Sequence, residues 1–185
     1  MGVILDKKYM GCFLGLKLRK TPPWRIIIHH SCTASAEKTR HALKFKGCST
    51  CFEVEKDGHI YQYADPMEIC QHCTGQNARA IGIDVTHMRD APFPQSQINA
   101  TRELVAELCA QFDIPHDVIT DKTRGIFTHS AIADTLCPNG FPMDVFVEKD
   151  MDTIEAIRVL VRKAIADGRR RDVWDMIKDE LWMEN

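Results

Sequence analysis

The chain has 185 residues, 44% of them hydrophobic and 27% charged, with a formal net charge of −2 and a pI near 6.4. Such a chain is long enough to close one domain around a core, with room for a small appendage. It lacks the basic surplus of a nucleic-acid binder, and it has no apolar run of the length that crosses a bilayer.

Residues 1–23 show no periodicity and close on Pro22-Pro23, which reads as an N-terminal extension lying across the domain or partly mobile. Asp6, Lys7 and Lys8 precede an apolar patch, Met10 to Leu16, that is shorter than a signal-peptide core and is followed by more basic residues. No secretory signal is read there, and synthesis in the cytoplasm is expected.

The β-branched run Arg25-Ile26-Ile27-Ile28 predicts a strand that ends in His29-His30-Ser31. Ser35 is placed to cap a helix running to about Phe45 and ending before Gly47. Phe52 to Glu55 and His59 to Tyr63 read as a hairpin around Lys56-Asp57-Gly58. Ala80 to Thr86, apolar from its start, predicts a central strand. A helix over about Ser96 to Phe112 would bury Ile98, Leu104, Val105, Leu108 and Phe112, and Gly125 to Thr128 looks like the last strand.

Asp152-Thr153-Ile154-Glu155 starts a further helix that stops at Gly168, and Val173, Trp174, Ile177 and Leu181 share one face of another. The expected organisation is an N-terminal extension (1–23), a domain (24–147) and a C-terminal helical appendage (148–185). The appendage packs on the domain or carries a protein partner, with Trp174 and Trp182 as anchors. The order of elements predicts an α/β fold, a mixed central sheet flanked by helices.

His129 and Cys137, an imidazole and a thiol at the end of the last strand, have the look of a zinc half-site. Zinc takes borderline or soft ligands in a tetrahedron, and a catalytic zinc keeps one position for water. His29, at the end of another strand, is well placed to be the third ligand.

A second set competes for metal. Cys48-x2-Cys51 and Cys70-x2-Cys73 have the spacing of a four-cysteine structural zinc, and a hairpin between the pairs would bring them to one end. Reduced buried thiols and disulfides are the other readings.

Taken in order, Ile27-Ile28-His29-His30-Ser31, Lys56-Asp57-Gly58-His59-Ile60-Tyr61-Gln62, Asn77 through Asp84, and His129 through Cys137-Pro138 resemble the zinc-dependent N-acetylmuramoyl-L-alanine amidases. That family includes phage T7 lysozyme, the peptidoglycan recognition proteins and the AmpD-like enzymes. The resemblance runs from about Trp24 to about Phe146 and implies a zinc site in a groove on one face of the sheet. It implies His29, His129 and Cys137 as ligands, and peptidoglycan or muropeptides as substrate. The substrate would be reached after lysis or by dedicated export.

Some members of the family use a tyrosine as proton shuttle at the position that Thr50 occupies here, and threonine cannot serve as that acid or base. AmpD-like members use the acidic residue of an Ile-Gly-Ile-Glu strand, which implies Asp84, one methylene shorter, with Glu53 in reserve. The resemblance further implies that Thr135 contacts the reacting centre, where its hydroxyl could donate to a developing oxyanion. It also implies that His72 and Asn77 border the substrate groove. The alternative is a peptidoglycan-binding protein of the same fold without catalysis.

Overall fold

The computed structural model describes residues 3–88, 91–116, 118 and 123–146. The helices expected beyond residue 150 lie outside them.

Among the described residues the sequence builds six strands and two α-helices in the order β1 (Leu5–Asp6), β2 (Arg25–His30), α1 (Ala36–Phe45), β3 (Phe52–Val54), β4 (Ile60–Gln62), β5 (Ala80–Val85), α2 (Gln95–Phe112) and β6 (Gly125–Thr128). They form one mixed sheet with strand order β1-β4-β3-β5-β2-β6, in which only the β3/β4 hairpin is antiparallel. Every residue of β5 is buried, as expected of a strand with neighbours on both sides and cover on both faces.

Alternation along the strands sorts the side chains. Ile26, Ile28, Ile81, Ile83, Phe52 and Val54 join Leu104, Val105 and Leu108 of α2 in the main core. Ile27 packs with Cys73, Ala80 and Phe127 in a separate cluster. Side chains at 27 and 29 share that second face, so the alternation that buries Ile26 and Ile28 also presents His29.

Helix α1 opens as read: the Ser35 hydroxyl accepts from Lys38 N–H at 3.4 Å. It closes where Gly47, with φ +67°, lets Cys48 N–H reach back to the Leu43 carbonyl at 2.8 Å. Helix α2 departs from the apolar pattern, because Gln97 and Thr101 are fully buried. The Gln97 amide donates to the carbonyls of Val54 and Thr86 (2.8 and 2.9 Å), stitching the ends of β3 and β5.

The N-terminal segment adds what its lack of periodicity concealed, a two-residue parallel strand on β4. Farther on, the Arg19 guanidinium is buried and donates to the carbonyls of Pro66, Asn77 and Ala80 at 2.6–2.8 Å. It thereby ties down the long connection between β4 and β5.

Candidate metal centre

Strands β2 and β6 run parallel with Ile28 opposite Thr128, so His29 and His129 follow side by side at their C-terminal ends. Their ring centroids are 4.5 Å apart. The turn after β6 folds back, with Ser130 N–H donating to the Cys137 carbonyl at 2.8 Å, and brings the Cys137 thiol to the pair. One donor atom from each of His29, His129 and Cys137 lies within 4.8 Å of the other two. Among the described residues this is the one group of three or more potential metal ligands.

The electrostatics suit a cation. Burial, reinforced for His29 by neighbouring imidazoles, lowers the pKa of both histidines and keeps their lone pairs free of protons. Burial pushes the Cys137 thiol up to about 12, while His30 N–H donates to its sulfur at 3.2 Å. A metal would supply the positive charge that a thiolate needs there. Two neutral imidazoles and one thiolate are a fitting donor set for tetrahedral zinc with one open position.

Asp84 and Glu53 stand in the same row as His29 across β2, β5 and β3, so the three side chains leave one face of the sheet. Burial raises Asp84 to about 7. Burial, and then the neighbouring Asp84, raises Glu53 well above the usual carboxylate range. The Glu53 carboxylate accepts from the hydroxyls of Thr39, at 3.0 Å, and Thr86. Thr50 is fully buried, and its hydroxyl donates to the Phe52 carbonyl at 3.4 Å.

The remaining candidates have local partners. The Thr135 hydroxyl oxygen accepts from Cys137 N–H at 3.2 Å and shapes the turn that presents the thiol. The Asn77 side-chain carbonyl accepts from His72 N–H and Cys73 N–H (3.0 and 2.7 Å), and its amide donates to Gln71. The His72 ring reaches His29, Nδ1 to Nε2, at 3.0 Å. Nothing in the sequence pattern marks that contact, because it joins a loop to a strand 43 residues away.

The four-cysteine zinc expected at Cys48, Cys51, Cys70 and Cys73 does not assemble. Cys51 and Cys70 do meet, sulfur to sulfur at 3.3 Å, inside the main core. Cys73 packs in the other cluster with Ile27, Ala80 and Phe127. Cys48 sits past the end of α1, its thiol directed to the Lys46 carbonyl. The hairpin does bring Cys51 to Cys70, but Cys73 is held in the other cluster and Cys48 stays at the helix end.

Residues 19–140 match the family described as N-acetylmuramoyl-L-alanine amidase. No curated protein matches the chain by sequence. Among solved structures, the chain is similar to the endolysin N-acetylmuramoyl-L-alanine amidase LysCS from Clostridium intestinale, with TM-score 0.63 and 23% identity over 80% of this chain and 93% of that one. It is similar also to the endolysin of Thermus scotoductus bacteriophage Ph2119, with TM-score 0.64 and 18% identity over 79% and 98%. A Drosophila peptidoglycan recognition protein, PGRP-SA, shares the fold at TM-score 0.60 and 19% identity over 79% and 91%.

Proposed function

The chain belongs to the N-acetylmuramoyl-L-alanine amidase family, and from that premise we propose that it is a zinc-dependent hydrolase. The bond cleaved is the amide between the N-acetylmuramoyl lactyl group and L-alanine, in peptidoglycan or its muropeptide fragments. The observation that carries this reading is the meeting of His29, His129 and Cys137 at the C-terminal ends of two adjacent parallel strands.

His29, His129 and Cys137 would hold the zinc ion, which would supply a Lewis acid for the scissile carbonyl and for activation of a water molecule. The chain supplies the rest. Asp84, on the same face as His29 and with its carboxyl near 7, takes the proton from the attacking water and returns it to the departing amine. Glu53, its neighbour on β3, is held by the hydroxyls of Thr39 and Thr86 and is therefore a less mobile proton carrier. The Thr135 oxygen accepts from the backbone, which leaves its O–H to donate to the oxyanion. His72 and Asn77 belong to the loop that borders the groove.

The test is a mass-spectrometric digest of intact sacculi and, separately, of soluble anhydro-muropeptides by zinc-loaded protein. Free stem peptides beginning with L-alanine are expected from at least one of them, and which one separates wall lysis from fragment recycling. Binding without release would replace hydrolysis by recognition.

A further inference from the structure

His72 lies against the sheet at a place on β5 where a side chain is missing, Gly82. A Cβ on Gly82 would come within 2.7 Å of the His72 ring, so the absence of one lets the imidazole rest directly over β5. The loop holds it there: the Asn77 side chain accepts from the backbone N–H groups of His72 and Cys73, and Arg19 binds the carbonyls of Asn77 and Ala80.

From this placement, and resting on the zinc reading above, we infer that His72 is a positioning residue that fixes the tautomer and ring orientation of His29. His72 Nε2 faces the Ala80 carbonyl at 3.3 Å, and a carbonyl can only accept, so that nitrogen carries the proton. In the neutral ring Nδ1 is then an acceptor. It faces His29 Nε2 at 3.0 Å, with the two rings perpendicular, so His29 Nε2 is the donor. The lone pair of His29 is thereby left on Nδ1, the nitrogen that points to the Cys137 sulfur at 3.9 Å.

Metal-bound histidines commonly donate their second N–H to a carboxylate, a carbonyl or water. Here an imidazole is interposed between the ligand and a backbone carbonyl. Asp84, opposite His29 in the sheet, is thus not required as the orienting group and stays available for proton transfer.

The experiment measures zinc affinity by chelator competition in the full chain, together with the visible spectrum of the cobalt-loaded protein. It compares wild type, His72→Ala and His72→Asn, whose amide oxygen can stand where Nδ1 stood. Expected are a roughly 10- to 100-fold weaker affinity and an altered cobalt spectrum for His72→Ala, the cost typical of removing such a partner. His72→Asn should recover most of both.

Unchanged zinc affinity with a raised KM would make His72 a substrate contact and overturn the inference. Equal losses in the Asn and Ala variants would overturn it too. If wild type itself takes up no zinc that Cys137→Ser abolishes, the zinc reading fails first, and the inference with it.

Discussion

Two sets of soft ligands are visible in this chain, and only one converges. His29 and His129 come from adjacent parallel strands whose register places them side by side, and a short turn returns Cys137 to them. The four cysteines have the more suggestive spacing, yet they end in two core clusters and at a helix end. Register in a sheet fixes where a side chain points as well as how far away it is. Spacing along a loop fixes neither.

The comparison breaks most visibly at Cys137. Cys137→Ser should lose the bound zinc and all detectable peptide release while keeping the wild-type circular dichroism spectrum; a fully active variant would sink the ligand assignment. Next is Asp84→Asn, expected to lower turnover by about 100-fold or more, the usual contribution of a general base, with zinc retained.

The same variant sharpens the electrostatic side. Asp84 titrates near 7 in the fold against a usual 3.8, so it holds its proton more tightly when folded. Its ionisation therefore erodes stability as pH rises from about 4 to 7. Metal-free Asp84→Asn should gain on metal-free wild type across that interval by on the order of 2–4 kcal/mol, checked by denaturant melts at the two ends.

The cysteine set should respond in stability alone. Cys51→Ser, which buries a hydroxyl beside Cys70, should cost about 1–3 kcal/mol. Half-exposed Cys48→Ser should stay within about 0.5 kcal/mol. Neither should lower the zinc content, and a loss of metal in either would revive the four-cysteine site.

The strands from Arg25 onward, the Ser35 cap and the nearness of His29 to His129 were legible because each rests on local pattern: alternation, a capping hydroxyl, histidines at strand ends. Leu5–Asp6 is too short to show a period, and only its pairing with β4 makes it a strand. Gln97 and Thr101 look like the wet side of α2, yet both are buried: the Gln97 amide donates to the carbonyls of Val54 and Thr86, and the Thr101 hydroxyl is satisfied within the helix by the Gln97 carbonyl. Glu53 reads as the polar side of a strand, and its burial depends on two hydroxyls from α1 and the end of β5. His72 stood out by resemblance alone; its contact with His29 was not legible, since that depends on a missing Cβ at Gly82.

Arg19 carries a consequence for ligand encounter. Two carbonyls of the β4–β5 connection, those of Pro66 and Asn77, and that of Ala80 at the start of β5 are fastened to one guanidinium. Ordering a free backbone costs roughly 1–2 kcal/mol of conformational entropy per residue. In this loop much of that cost is met during folding, so any ligand that meets it finds the backbone preorganised and its contact energy is not diverted into freezing the chain.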